Sequence, residues 1–454
     1  MRYLALLLFT LASVSHAKSD TNPEAEAKEI LMRSIAFQTV QGRGQVPAYA
    51  GYLAAVLKKA GFGDDQIAIT PVGDTGTLVA RYPGTTDAKP ILLIGHMDVV
   101  EAKPDDWERD PFTAIEENGY IFGRGAEDNK FDVSMMVAML ARLKSEGYRP
   151  RRTIILALSG DEETVGKSTK VLAAQFKDAE MVLNGDAGGG LLSTDFKPLI
   201  FRLQAGEKTY ADYQIEVTDP GGHSSTPTAT NPIYRLARIL GRLDAYHFSN
   251  QTNELTRGSL LSAGKREGGT LGAAMIRYAN DPTDTAAADI IAAHPEYVGQ
   301  IRTTCVATMA SAGHAANALP QRAMATVNCR IFPGVSIAAI RDELERIVAD
   351  PSARVSVLLD SGSSDASPLR ADVVEAVTNA IHVRYPSIEV TPSMEAGATD
   401  ALFYRALGVP SYGISPLFKR PEDDFIHGLN ERVRVAEIAP ALAYYRSLIT
   451  SLSK

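Results

Sequence analysis

Two uninterrupted apolar runs constrain this chain more than any other feature. Ile91-Leu92-Leu93-Ile94 and Thr153-Ile154-Ile155-Leu156-Ala157-Leu158 offer almost nothing to a solvent-facing side, so a sheet built from them is covered on both faces. The helical stretch from Val133 to Leu143 lies between them, as the crossover between parallel strands requires. An α/β core is expected. At 454 residues the chain exceeds what a single core supports, so a second domain is expected as well.

That second domain is legible as a change of pattern. Ala211 to Val217 alternates like a half-exposed strand, and a helical pattern from Pro232 to Leu243 follows, with Asn231 placed to cap it. Strands around Cys305 and Cys329, a helix from Ser336 to Val348 and the run Val355 to Leu359 complete a β-α-β-β-α-β order, that of a small ferredoxin-like α+β domain. The stretch from Ala245 to Gly299 interrupts this order and reads as an insertion of helices and loop. After the polar linker Ser361-Gly362-Ser363-Ser364 the α/β character resumes. The expected division is therefore one domain from residues 18–207 and 365–454, with residues 208–364 inserted into it.

Arg2, the apolar run Tyr3 to Val14 and the small residues of Ser15-His16-Ala17 have the form of a signal peptide, residues 1–17, cleaved after Ala17. The run is too short to span a bilayer and no cysteine follows it to take a lipid, so an exported protein without a membrane anchor, periplasmic or secreted, is expected. A net charge of −8 leaves no basic footprint for nucleic acid. Cys305 and Cys329 are too few for a disulfide scaffold and wrongly spaced for a thiolate zinc site; whether they form one bridge is left open.

Chemistry-bearing residues collect where the apolar runs stop. Gly95-His96-Met97-Asp98 follows the first run, and Asp98 sits two residues on, placed to accept a ring N–H of His96. Asp161-Glu162-Glu163 follows the second run. Three adjacent acids repel one another unless a cation lies among them, so a metal is the better reading. Gly123-Arg124-Gly125-Ala126-Glu127-Asp128 feeds the intervening helix, Asp186 follows the apolar Met181-Val182-Leu183, and His427 lies near the C-terminus.

These segments together resemble the dinuclear-zinc exopeptidases and deacylases, the family that includes carboxypeptidase G, aminoacylase, succinyl-diaminopimelate desuccinylase and the carnosine dipeptidases. The resemblance runs from about Ile30 to the C-terminus. It also takes in Asp106-Trp107 with Asp110-Pro111-Phe112, Gly221-Gly222-His223-Ser224-Ser225, Asn317-Ala318-Leu319-Pro320, Gly397-Ala398-Thr399-Asp400 and His427-Gly428-Leu429-Asn430-Glu431. It implies a catalytic domain with a mixed, mostly parallel sheet, and makes the inserted ferredoxin-like domain a lid and dimerisation domain, so a homodimer is the default.

Carried over residue by residue, the resemblance implies two zinc ions bridged by Asp128, with His96 and Asp186 completing one site and Glu163 and His427 the other. The four positive charges would be matched by Asp128, Glu163, Asp186 and one hydroxide, as a buried site requires. Oxygen and imidazole ligands without thiolate suit a catalytic rather than a structural site. Glu162 would be the general base for attack by the bridging hydroxide on an amide carbonyl, Asp98 would orient His96, and His223 would stabilise the oxyanion once the lid closes. Asn317 and Arg330 match positions that hold substrate, Arg330 being suited to a carboxylate, and Gly397 and Thr399 would line the same pocket.

Two features depart from the family pattern. Asn129 stands where a second acid usually follows the bridging aspartate. Asp186, rather than Glu, is commoner in aminopeptidase and dipeptidase members and favours di- or short peptides with a free amino end. Hydrolysis of N-acyl amino acids or other small amides is the rival. A non-catalytic binding protein on the same fold would show a damaged base or a missing ligand, and Glu162, Asp128, Glu163 and His427 are all intact. Gly166-Lys167-Ser168 is not a phosphate-binding loop, because Asp161 takes the place of its first glycine, and no Gly-x-Ser-x-Gly elbow is present.

Overall fold

The structure, a computed structural model, describes residues 22–360 and 362–454. The expected signal peptide and residue 361 of the expected linker lie outside the described residues. Among the described residues no helix is long and apolar enough to cross a membrane.

The apolar runs form the centre of a ten-stranded sheet, and their lack of polar residues has the expected cause. In strand Ile91–His96, Ile91 and Leu93 join the core on one face while Leu92 and Ile94 join the core on the other. Strand Ile154–Ser159 divides likewise, Leu156 and Leu158 to one side, Ile155 and Ala157 to the other. Helices Val46–Lys59, Lys130–Ser145 and Ile438–Leu452 contribute to the first core, and helices Lys167–Gln175 and Ala401–Ala406 to the second. The strands Ile154–Ser159, Ile91–His96, Met181–Asn184 and Ser411–Gly413 run side by side in parallel. His96, Ser159 and Asn184 therefore end at one edge, where the loops that follow them converge.

The second sheet has four strands in the order Thr304–Ala312, Arg322–Ile331, Thr209–Thr218, Ala353–Asp360, every pair antiparallel. With helices Pro232–Asp244 and Ile337–Val348 packed on it, this is the ferredoxin-like arrangement read from the sequence. Asn231 caps the first helix through Ile233 N–H and Ser336 the second through Ala339 N–H. Cys305 lies directly opposite Cys329 on adjacent strands, and the two form a disulfide.

The helices between Glu254 and Val298 do not extend this lid. The first of them, Glu254–Glu267, returns to the large sheet, where Leu255 joins its core and Ser259 Oγ donates to Pro392 O at 3.3 Å; Gln300 Nε2, after the last, donates to Met394 O at 3.1 Å, and the helices otherwise pack on one another. Helices Glu254–Glu267 and Gly269–Asn280 meet so closely that a Cβ on Gly272 would stand 2.4 Å from Gly264 O. The chain passes from one sheet to the other between Glu207, the last residue of strand Pro198–Glu207, and Thr209, with Lys208 at the crossing.

Candidate dinuclear metal centre

Asp128 stands between two imidazoles. His96 Nε2 is 2.9 Å from its Oδ1 and His427 Nε2 is 3.1 Å from its Oδ2. Asp186 Oδ1 lies 3.4 Å from His96 Nε2, and Glu163 Oε2 3.1 Å from His427 Nε2. Two groups able to hold a metal result, His96-Asp128-Asp186 and Asp128-Glu163-His427, with Asp128 common to both. These are the five residues singled out from the sequence as ligands.

The electrostatics show what the site wants. Burial disfavours a charged His96, but Asp186 beside it and hydrogen bonds to Asp128, Asp186 and Asp98 outweigh that and hold its pKa well above the usual value. His427 is pushed up to about 10 by its bonds to Asp128 and Glu163. Burial also drives Asp186 well above the carboxylate range, only partly opposed by His96, and Glu162 is raised for the same reason with Asp186, Asp400 and Glu163 adding repulsion. Carboxylates packed this tightly lack positive charge, and divalent cations on the shared donors would supply it. The oxygen and imidazole donor set fits the two metal ions inferred from the sequence.

Strong positioning surrounds the ligands. Asp98 accepts the backbone N–H of Glu162 at 3.1 Å on one carboxylate oxygen and that of Glu163 at 3.0 Å on the other. It was expected to take the His96 ring N–H with its carboxylate, but that atom is 3.6 Å from His96 Nδ1, and the Asp98 carbonyl accepts instead at 3.0 Å. The carboxylate is committed to fixing the acidic turn, so Asp98 orients both sites at once. Among the described residues no hydrogen bond occupies the Glu162 carboxylate, whose backbone N–H is the group bonded to Asp98.

Residues without an assigned role in the sequence complete the frame. Fully buried Glu431 accepts N–H groups from Gly125, Glu127 and Asp128 and pairs with Arg124 Nη1 at 2.6 Å. Asn129 replaces the family's usual acid without loosening the loop: buried, it donates from Nδ2 to Gly185 O at 3.1 Å, one residue before Asp186. Asp400 accepts Ser159 Oγ and Thr169 Oγ1 behind the ligand strands.

The proposed substrate residues divide. Arg330 Nη1 donates to Ala396 O at 3.2 Å, which brings its guanidinium to the Gly397 loop, where an added Cβ would meet nothing within 4 Å. Thr399 does not line that pocket: its Oγ1 donates to Glu207 Oε2 at 2.9 Å and accepts Asn184 Nδ2 at 3.1 Å, so it is spent inside the fold. His223 pairs with Ala318 on a separate two-stranded ribbon of the lid, and Asn317, in the turn just before Ala318, accepts Ser224 N–H on its carbonyl at 3.0 Å. His223 is exposed, its Nδ1 shared with Ser225, and no hydrogen bond links it to either triad.

Residues 92–451 match Peptidase family M20/M25/M40. The chain belongs to this family. Among M20 relatives, it is 29% identical to the human N-fatty-acyl-amino acid synthase/hydrolase PM20D1, across 80% of this chain and 74% of that one. It is 27% identical to a probable carboxypeptidase S-like 2 of Dictyostelium discoideum, across 83% and 75%. In structure it matches the M20 family metallo-carboxypeptidase Sso-CP2 from Sulfolobus solfataricus with a TM-score of 0.71 at 18% identity, covering 94% of this chain and 99% of that one. This M20 chain is thus a metallopeptidase-family enzyme with the family's fold and a candidate two-metal centre.

Proposed function

We propose that the protein hydrolyses the amide bond of small substrates whose amine half is an amino acid with a free carboxylate: short peptides and N-acyl amino acids. The carrying observation is the pair of triads sharing Asp128, with the unengaged Glu162 carboxylate beside them. Two zinc ions held there would polarise the amide carbonyl and make water acidic enough to attack near neutral pH. Glu162 takes the proton from the attacking water and delivers it to the leaving nitrogen, a role suited to a carboxylate whose pKa is raised by burial. Arg330 provides a planar cation for the carboxylate of the amine half. His223, with Nδ1 fixed by Ser225, keeps Nε2 for the oxyanion when the lid closes or when a second copy presents it.

The names of the sequence relatives favour acylated amino acids and carboxy-terminal cleavage over the amino-end preference that Asp186 suggested. A homodimer through the lid is part of the reading, supported by the exposed Val306 and Met309 on its edge strand Thr304–Ala312. Export is part of it too, supported by the Cys305–Cys329 disulfide.

The test is hydrolysis of free dipeptides, N-blocked dipeptides, N-acyl amino acids and aminoacyl amides without a carboxylate by the zinc-loaded protein, each repeated with Glu162→Gln. Turnover of compounds with a free carboxylate, abolished in Glu162→Gln, is expected. Equal turnover of aminoacyl amides that lack the carboxylate would overturn the substrate reading, and full activity in Glu162→Gln the mechanism.

A further inference from the structure

Lys208 is fully buried at the crossing between the two sheets, and among the described residues its Nζ has no hydrogen-bond partner. Among the described residues, the charge acting on it is also positive, that of Arg330. A lysine buried without a counter-ion is costly, and the cost shows in its pKa, which burial and then Arg330 lower to about 7. Such a group is tolerated where something outside the chain completes it.

The surroundings indicate what that is. Lys208 N–H donates to Glu395 O, and Ala396, the next residue, receives the Arg330 guanidinium beside the open space at Gly397. On the other side the turn at Gly299 closes in, where a Cβ would stand 3.4 Å from Lys208 Nζ. Among the described residues, buried polar atoms without partners recur here, Thr209 Oγ1 next to Lys208 and Gln300 Oε1 next to Gly299. The metal centre is close along a bonded path: Glu207, adjacent to Lys208, accepts Thr399 Oγ1, Thr399 accepts Asn184 Nδ2, and Asn184 Oδ1 accepts the N–H of Asp186.

We propose that Lys208 is a specificity-determining residue: with Arg330 it forms a two-cation site for one carboxylate, that of the amine half of the substrate, beside the Gly397 loop. This rests on the reading above that the substrate carries such a group. An anion between the two cations removes their mutual repulsion and gives the ammonium the partner it lacks. A neutral carboxamide in the same place does neither, so the pair selects against substrates whose carboxyl end is blocked.

The experiment separates binding from turnover. In full-length, zinc-loaded protein carrying Glu162→Gln, calorimetry measures the affinities of N-acetyl-L-methionine and its carboxamide. Hydrogen bonds to charged groups contribute enough that the carboxylate is expected to bind about tenfold or more tightly, and Lys208→Met, which keeps the shape of the side chain, is expected to bring that ratio close to one. Lys208→Arg is expected to keep most of it, and it carries the test should the Met variant not fold. Loss of affinity for both ligands in equal proportion would mark a structural role and overturn the proposal, as would an undiminished ratio in Lys208→Met or a ratio in Lys208→Arg that falls to one. If the ratio depends on Lys208 while neither compound is hydrolysed by the parent enzyme, the carboxylate site stands and the hydrolase reading of its substrate falls.

Discussion

Glu431 accepts the backbone N–H of Asp128 at 3.0 Å, so the residue shared by both candidate metal triads is held by a carboxylate just beyond the candidate ligand His427. The same carboxylate neutralises Arg124, which is 3% exposed. Glu431→Ala strands that guanidinium in the interior and removes three N–H acceptors, and about 3–5 kcal/mol of stability is expected to be lost in urea unfolding. Glu431→Gln keeps the shape and part of the bonding. It is expected to fold while holding less than the full two metals per chain, and unaltered metal content in that variant would refute the positioning role.

Gly95 is required by what lies behind it. A Cβ there would stand 2.5 Å from Asn129 Oδ1 and 3.2 Å from Val133 Cγ2. Asn129 adjoins Asp128, so Gly95→Ala acts on the bridging ligand before it acts on the core. The expected result is a loss of about 10–100-fold in zinc affinity by chelator competition, with a stability cost of only about 1–3 kcal/mol. Unchanged affinity would show that Asn129 moves without carrying Asp128.

That the five candidate ligands come together was legible because each follows a short apolar strand or opens a loop with its own chemistry, and the parallel order brings those ends together. The ferredoxin-like strand order was legible for a similar reason, since alternation in Ala211 to Val217 and the capped helices are local signals. Glu431, Asn129 and Asp400 were not, because their work is done on backbone groups and hydroxyls brought near by tertiary packing. Thr399 misled for the converse reason: a hydroxyl beside a glycine-rich loop looks available until Glu207 and Asn184 are seen to hold it. Adjacency in the chain places the helices after Glu254 in the lid, whereas their apolar faces cover one another and the first of them, Glu254–Glu267, seats the group on the large sheet through Leu255 and Ser259.

Metal binding is expected to release protons. In the metal-free protein His96 is held charged well above the usual histidine range, and His427 up to about 10. Both must give up a proton to bind a cation, as must any protonated Asp186. Affinity for zinc should therefore rise with pH across the neutral range and on towards pH 10, and fall as acid refills these groups. Calorimetry in two buffers of different ionisation enthalpy, at pH 7.5, is expected to show on the order of two protons released per two zinc ions bound. Binding without proton release would mean that the imidazoles are already neutral and the carboxylates of the two triads already ionised in the metal-free protein.

The Cys305–Cys329 bridge closes a loop with a sequence separation of 24 residues, containing the lid segment that carries Asn317. A crosslink over a loop of that length stabilises by about 3 kcal/mol in the chain-entropy account, and the effect falls on the lid because both strands belong to its sheet. Reduction under native conditions is therefore expected to lower the unfolding midpoint of the lid while leaving the large sheet and its metals in place. Hydrogen exchange followed along the chain distinguishes the two: protection should fall in strands Thr304–Ala312 and Arg322–Ile331 and persist in Ile91–His96 and Ile154–Ser159. Since Arg330 follows Cys329 directly, the reduced enzyme should also show a raised KM for carboxylate-bearing substrates with kcat changed less. A fall in kcat alone would place the effect of reduction at the metal centre instead.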